Sequence, residues 1–500
     1  MLHHLGDESI TRNFINGEFI EPRSASWLDV IEPATVTRYT RCPASNTSDV
    51  DLAVEAAANA AHAWARTPAR ERSAIMLRIA DGIERHLDRL ALAESIDTGK
   101  PIALARSVDI PRAAANFRFF ATAILHARGD LHEMDGGTGP TGGNAVNYTL
   151  RRPLGVVGLI SPWNLPLYLL TWKIAPAIAA GNACICKPSE VTPMTAMLLG
   201  EILSDAGLPR GVVNIVHGRG EETGGAIVTH PGVRGVSFTG STRVGTWIGE
   251  RCGAALKKCS LELGGKNPFV VFDDAELDVA VKTCVRASFA NQGQICLCGS
   301  RLLVQRGIYE AFVTRFTERA RAIKLGDPLD EQTQHGALVS TQHAAKVASY
   351  VAKARALRAE VLLGGSYIDA DHLSARCAGG EGSAFFEPTI LAGLPNDCDV
   401  IQDEIFGPVV TIQRFEDEAG AVRLANSTRY GLASSVWTTD LSRAHRVADA
   451  VDSGIVWINC WMVRDLRTPF GGTKSSGVGR EGGDEAFRFF TEPKNVCVQL

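Results

Sequence analysis

The spacing of apolar residues changes twice along this chain. Between residues 51 and 125, runs such as DLAVEAAANAAHAWA and AIMLRIADGIERHLDRLALAESI place apolar side chains at helical spacing, which predicts a helical opening segment. From 155 to 275 the pattern turns into short β-branched runs, GVVGLIS, ACICKP, GVVNIVHG, GVSFTG and NPFVVFD, alternating with helical stretches. Strand and helix in strict alternation predict a parallel sheet with helices on both faces. A second alternating series from about 284 to 460, with RLLVQ, PVVTIQRF, SSVWTT and GIVWINC, predicts a second α/β domain.

Three stretches stand outside this alternation. The Gly-rich run from residue 129, GDLHEMDGGTGPTGGNA, leads into the polar strand NYTLRRP. The last run, FFTEPKNVCVQL, predicts a terminal strand with nothing after it to cover its edge, a kind that often pairs with another subunit. The run ARCAGGEGSAF, from 375 to 385, reads as a mobile surface insertion without chemistry.

Composition narrows the function classes. A chain of 500 residues with 45% hydrophobic and 21% charged content supports two or three domains and excludes general disorder. With 51 basic against 55 acidic residues and no Lys/Arg block, it carries no footprint for nucleic acid. The start lacks the basic and apolar regions of a secretory signal. The most apolar stretch, Gly155 to Cys186, is broken by Pro162, Asn164, Pro166, Lys173 and Pro176, so no membrane span is expected. Twelve cysteines without a C-x-x-C or zinc-finger spacing fit reduced thiols, mostly core filler, in a soluble cytoplasmic enzyme.

Four local features could carry chemistry, each with an ordinary structural alternative. In GVSFTGSTRVG a strand runs into Gly240 and Gly245 at a helix start, where backbone can approach a pyrophosphate; Thr242 replaces the middle glycine of the usual fingerprint, and a plain tight turn fits equally. Lys187 and Glu190 of KPSE follow a strand, where they could hold ribose hydroxyls or lie solvated on a loop. Cys296 in ANQGQICLCGS could serve as a nucleophile, with Glu262 of SLELGGKNP as general base; nearby Cys298 shows that cysteine here can also be filler. Asn164 in SPWNLP could donate to an oxyanion or simply make the turn.

Taken together, SPWNLP, KPSE, FTGST, LELGGKNP, GQIC and EIFGPV occur in an order that resembles the aldehyde dehydrogenase superfamily, over roughly residues 12 to 500. The resemblance implies Cys296 as nucleophile, Glu262 as hydrolytic base, and Asn164 with the Cys296 N–H as oxyanion hole. It implies NAD as cofactor, with Lys187 and Glu190 at the adenosine ribose, Trp163, Gly240, Ser241 and Gly245 along the dinucleotide, and Glu404 with Phe406 at the nicotinamide end. A carboxylate at Glu190 would repel a 2′-phosphate and so favour NAD over NADP. The Glu262 base favours hydrolysis to free acid over transfer to coenzyme A.

The implied architecture is two doubly wound Rossmann-type α/β domains plus a small β oligomerisation arm. Residues 1–128 and 151–260 would form the NAD-binding domain, 261–478 the catalytic domain, and 129–150 with 479–500 the arm of a homodimer or homotetramer.

The runs INCWMVRDLRTPFGGTKSSGVGREGG and IPRAAANFRFF are further similar to the branch acting on 2-aminomuconate 6-semialdehyde and 2-hydroxymuconate semialdehyde, closer to the aminomuconate members. Such substrates carry a carboxylate far from the aldehyde, which a guanidinium can grip with two parallel hydrogen bonds. Arg118 and Arg464 are the expected grip, with Arg467 third. Other carboxylated aldehydes remain open as substrates, whereas a cationic one such as betaine aldehyde would clash with paired arginines. The rival of a different class is an inactive NAD-binding structural protein, disfavoured by intact Cys296, Glu262 and Asn164.

Overall fold

The computed structural model describes residues 10–136 and 142–500. Residues 137–141, inside the segment expected to form the arm, and 1–9 lie outside the described residues.

The opening segment is helical as its spacing predicts. Helix α1 (Thr47–Arg66) starts at a capping box, in which Asn46 accepts from the first turn and Asp49 reaches back to the Asn46 backbone. Helix α2 (Ala69–Arg85) follows, then α3 (Leu87–Thr98), which stops at Gly99 with φ +76°. A widened π turn at Ala105–Asp109 leads into α4 (Ile110–Ala123).

The first sheet has five central parallel strands, in the order Val213–Ile215, Ala183–Lys187, Val156–Ile160, Gly235–Thr239 and Lys258–Glu262. Both edges run antiparallel: Asn13–Ile15 joins one side and Gly477–Val478 the other. Strand Gly477–Val478 thus completes the first sheet although its position in the chain groups it with the catalytic unit. Helix α5 (Pro166–Ala179) is buried around nearly its whole circumference and packs with α4 and the sheet in one cluster. Helix α6 (Thr242–Ala254) covers the opposite face, and a second cluster joins Ile248 and Cys252 to Val156, Ile185 and Val236.

The second sheet has seven strands, with Asn267–Val271, Gly299–Gln305, Thr389–Ala392, Val409–Phe415, Ala433–Trp437 and Ile455–Ile458 parallel, and Glu360–Leu363 antiparallel at one edge. The run NPFVVFD therefore lies in the middle of the second sheet. Helix α7 (Thr341–Ala356) is N-capped by Ser340. A third, antiparallel sheet pairs Ala145–Pro153 with Thr491–Gln499 over nine residues and with Leu131–Met134.

The 375–385 run is not a loose insertion. Arg376 is ion-paired to both Asp327 and Glu32, the Ala378 N–H donates to the Ala34 carbonyl at 2.8 Å, and Phe385 is fully buried. Among the described residues no helix is long and apolar enough to cross a membrane.

Candidate active site

Strand register brings four candidate positions to one level. Ile160 lies beside Lys187 and Phe238, and Thr239 lies beside Glu262, all at the C-terminal ends of parallel strands. The chain leaves these ends as the turn bearing Trp163 and Asn164, the Lys187–Glu190 loop, and the Gly240–Ser241 turn into α6. This edge is where an open α/β sheet offers backbone N–H groups and helix N-termini to a ligand. The unit built on the second sheet faces it with Cys296, Glu404, Phe406 and, from α7, His343 and Lys346. Between them is a cleft of about 230 Å³, lined in part by Trp163, Asn164, Gly240, Ser241, Cys296 and Glu404.

Side-chain amides hold the loop before Cys296. Asn291 and Gln292 have φ of +50° and +55°, uncommon for residues with a Cβ. Gln292 Nε2 donates to the Ala337 carbonyl at 2.7 Å, Gln294 Oε1 accepts from the Val339 N–H at 3.0 Å, and Asn267 Nδ2 donates to the carbonyls of Cys296 and Cys298. Cys296 faces the cleft, while Cys298 is buried in the core of the second unit. Asn164 is buried, and its Nδ2 donates to the Gln294 carbonyl at 2.9 Å. An amide nitrogen carries two hydrogens, so one remains for the cleft. The Cys296 N–H has no hydrogen-bond acceptor among the described residues. Two donors are thereby available beside one thiol.

Burial first, and nearby charge second, raises the pKa of both the thiol and Glu262. Burial raises the Cys296 pKa, and the carboxylates of Glu404 and Glu262 raise it further against the opposing pull of Arg464. Burial, then Glu481, holds Glu262 well above the usual carboxylate range, with Lys173, Arg480 and Arg464 pulling the other way. Neither Glu262 oxygen has a hydrogen-bond partner among the described residues. Behind it, Lys173 Nζ bonds Glu481 Oε1 at 2.8 Å and Ser237 Oγ at 2.9 Å.

A nucleophile, two free donors and a buried carboxylate thus meet at a dinucleotide-type sheet edge, and the sequence matches the aldehyde dehydrogenase family over residues 19–496. The chain belongs to the aldehyde dehydrogenase family. It is 47% identical over 490 residues to a 2-aminomuconic semialdehyde dehydrogenase of Danio rerio, covering 98% of each chain. It is 46% identical over 491 residues to a 2-hydroxymuconic semialdehyde dehydrogenase of Pseudomonas sp. strain CF600, covering 98% of this chain and 99% of that one. The crystal structure of PnpE from Pseudomonas sp. WBC-3 superposes with a TM-score of 0.93 at 40% identity, over 98% of this chain and 97% of that one.

Glycines make room for the cofactor side of this aldehyde dehydrogenase. A Cβ at Gly264 would lie 2.0 Å from Glu404 Oε2, and the adjacent Gly265 N–H donates to Glu404 Oε1 at 3.0 Å, so glycine at 264 is what lets the carboxylate seat. A Cβ at Gly245 would lie 2.3 Å from Leu263, which is why the first turn of α6 can approach the strand. Ser241 caps α6 and is exposed to the cleft. Phe406 takes a left-handed φ of +61° and sets its ring edge-on to Trp163 at 5.3 Å between centroids. His343, kept neutral by a pKa lowered to about 4 through burial, bonds the Phe406 carbonyl at 2.7 Å. Lys187 Nζ bonds Glu190 Oε2 at 3.2 Å at the far end of the sheet edge.

The arginines divide. Arg464 stands over the Trp172 and Phe470 rings, 5.3 and 4.0 Å from their centroids, and its Nη1 donates to the Tyr168 hydroxyl at 2.9 Å. Arg118 does not join it: its guanidinium pairs at the surface with Asp81 and Glu84 of α2. Arg467 does not join it either: its side chain is 80% exposed and paired to Asp465. Both depart from the expectation because a local carboxylate already satisfies them. The arginine that the sequence reading missed is Arg112, which stands over Tyr168 and Trp172 at 5.4 and 5.8 Å; it shares the Trp172 ring with Arg464, which bonds the Tyr168 hydroxyl. The Arg112 Nε and Nη2 have no hydrogen-bond partner among the described residues, and its pKa is lowered, first by burial and also by Arg464. Helical phase was the available signal. Asn116 is buried against α5, bonding the Tyr168 carbonyl and Thr171, and Arg112, four residues earlier, shares its face; Arg118 is turned about 200° away.

Proposed function

We propose that this protein is an NAD-dependent dehydrogenase of a muconate-type semialdehyde, oxidising 2-aminomuconate 6-semialdehyde to 2-aminomuconate. The observation that carries the substrate is Arg112 beside Arg464: two guanidiniums share the Trp172 ring and both contact Tyr168, one over its ring and one at its hydroxyl, and neither forms an ion pair among the described residues. Such a pair calls for an anion, and a muconate semialdehyde brings a carboxylate to the end remote from its aldehyde. Relatives named for the amino and for the hydroxy substrate support the shared skeleton, and the 47% identity to an aminomuconic one favours the amino substituent. PnpE, with a similar fold, has been crystallised with nicotinamide adenine dinucleotide, which supports NAD here.

The residues present fit that dinucleotide. The Gly240–Ser241 turn at the α6 N-terminus would take the pyrophosphate, Lys187 and Glu190 the adenosine ribose, and Glu404, seated against Gly264, the nicotinamide ribose. NAD bound there supplies the hydride acceptor. The protein's own work begins when Cys296 gives its proton to solvent at the cleft and the resulting thiolate sulfur bonds the aldehyde carbon, whose C=O electron pair moves to oxygen. The second Asn164 N–H and the Cys296 N–H receive the oxyanion. Loss of hydride from that carbon oxidises it by two electrons and leaves a thioester on Cys296. Glu262, once deprotonated, takes a proton from water as the water oxygen bonds the thioester carbon, and the carboxylate product leaves with the thiol restored.

The chain would work as a cytoplasmic homodimer or homotetramer. Its arm, with the nine-residue strand Thr491–Gln499 mostly exposed, supports this assembly.

The test is NADH formation from enzymatically generated semialdehydes, with Arg112→Met, Arg464→Met and Cys296→Ser in parallel. The expected result is turnover of the wild type, none for Cys296→Ser, and a fall of about 10- to 100-fold in kcat/KM for each arginine variant, ~1.4–2.7 kcal/mol. Preference for uncharged aliphatic aldehydes, with normal arginine variants, would overturn the substrate while leaving the dehydrogenase.

A further inference from the structure

Lys100 is a fully buried lysine remote from the thiol in sequence and absent from the cleft lining, yet it ends on the site. Its Nζ is paired with Asp109 and Glu94, both also buried, and donates to the Asn164 backbone carbonyl at 3.0 Å. The same carbonyl accepts from Asn291 Nδ2 at 3.1 Å. These two donors come from opposite sides. Lys100 follows α3 on the helical opening segment, and Asn291 lies on the loop that carries Cys296. The adjoining Gly99 repeats the bridge: its carbonyl accepts from the Ala337 N–H at 2.9 Å and from Gln292 Nε2 at 3.4 Å, and a Cβ at 99 would lie 2.8 Å from the Ala337 carbonyl. The turn at 98–100 therefore touches both parts that must meet to form an oxyanion hole, the Asn164 turn and the nucleophile loop.

A buried ammonium is retained where it is paired and hydrogen-bonded. Here two carboxylates neutralise it, and its remaining donor is spent on a catalytic-site carbonyl. The π turn at Ala105–Asp109 is what brings Asp109 to the lysine. We propose that Lys100 and Asn291 form a clamp on the Asn164 carbonyl and are positioning residues that fix the Asn164 carboxamide against Cys296. The clamp rests on the reading of Asn164 as an oxyanion donor. The clamp holds the residue's backbone, and Gln294 holds one hydrogen of its amide, so the other hydrogen has a single direction. Misplacing such a donor by an ångström is worth about 100-fold in rate.

The test compares two reactions of the same thiol. Acylation of Cys296 by p-nitrophenyl acetate forms the S–C bond, expels p-nitrophenolate and passes through an oxyanion; alkylation by iodoacetamide expels iodide and has no oxyanion. Their rate ratio isolates the hole from thiol ionisation, folding and cofactor binding. Lys100→Met/Asp109→Asn removes the donor without leaving the aspartate charge unpaired. Burial already pushes Glu94 up to about 7, so it can stay neutral. Asn291→Gly removes the other donor while tolerating φ +50°.

With Asn164→Ala setting the scale at about 100-fold, both clamp variants are expected to lower the ratio by about 10-fold or more while alkylation stays within about twofold. A normal ratio in the folded Lys100 variant, with Asn164→Ala lowered, overturns the clamp alone. Should that variant not fold, a normal ratio in Asn291→Gly overturns it. A normal ratio in Asn164→Ala overturns the oxyanion reading itself, and the clamp with it.

Discussion

Around Cys296, carbonyls and amides are tied to one another: Asn267 holds two carbonyls, Gln294 is anchored to Val339, and Asn164 to Gln294. Around Arg112 and Arg464 the opposite holds. The guanidiniums lie against Tyr168, Trp172 and Phe470, and two Arg112 nitrogens have no hydrogen-bond partner among the described residues. The first region is tied together by hydrogen bonds, which leave open among the described residues the two N–H groups beside the thiol, the Glu262 carboxyl and the side-chain oxygens of Asn291 and Gln292, so its geometry is set before substrate arrives. The second is under-satisfied, which leaves it open to the substrate carboxylate proposed above. Substitutions at the first region should therefore strike chemical steps for every aldehyde, and at the second only the discrimination among aldehydes.

The largest effect on the first side is expected from Glu262→Gln. Its carboxyl is held protonated by burial and by Glu481, so the base form grows as pH rises through its raised pKa. Hydrolysis of the thioester should speed up with pH in the wild type. In the variant it should be roughly 100-fold slower or more and lose that dependence, while a first burst of about one NADH per site persists. Stopped-flow absorbance at 340 nm across pH separates the two phases. Loss of the burst along with turnover would place Glu262 in the first half of the reaction and blur the contrast.

On the other side, Arg112→Met and Arg464→Met should be non-additive. Two donors on one carboxylate share its binding energy, so the double variant is expected to lose less than the product of the single losses, by about 5-fold or more in kcat/KM. Propanal, which has no carboxylate, should be oxidised at the same rate by all four proteins. A multiplicative double variant would mean that the arginines act on different groups.

A smaller change is expected at the cofactor end. Glu190→Gln removes the charge that opposes a 2′-phosphate, and the ratio of kcat/KM for NADP to that for NAD should rise by about 10-fold with the semialdehyde KM unchanged. An unchanged ratio would place the carboxylate away from the ribose.

How much of this was legible follows the same division. The sheets could be read because their central strands are continuous apolar runs, buried on both faces, as in ACICK and NPFVV. The antiparallel edges could not, since Asn13–Ile15 and Gly477–Val478 are too short to show a period. The residues lining the cleft sit in turns whose wording is constrained by backbone needs, such as the glycines at 264 and 245, so local sequence pointed to them. Lys100 and Arg112 carry no such local mark. What matters about each is what lies across a helix pair or a domain junction, and that is set by tertiary packing. The choice of Arg118 went wrong for this reason: NFRFF names an arginine on the right helix and the wrong face.

Arg118→Ala is accordingly the smallest and most diagnostic change. Arg118 donates to Glu84 at 2.6 Å and to Asp81 at 2.8 Å, with its side chain 40% exposed, so removing it should cost a fraction of a kcal/mol, in the range of ~0.2–1 for exposed pairs. It has no ring contact with Tyr168 or Trp172, against which Arg112 lies, so kcat/KM for the semialdehyde should stay within about twofold of wild type. Arg112→Met, six residues earlier on the same helix, should lose at least about ten times as much. Two arginines on one helix, one already satisfied by acidic neighbours and the other with open donors, separate helix stability from substrate recognition in a single pair of assays. If Arg118→Ala instead lowered kcat/KM tenfold while Arg112→Met did not, the carboxylate grip would lie on the opposite face of α4, and the under-satisfied cluster around Tyr168 and Trp172 would need another ligand.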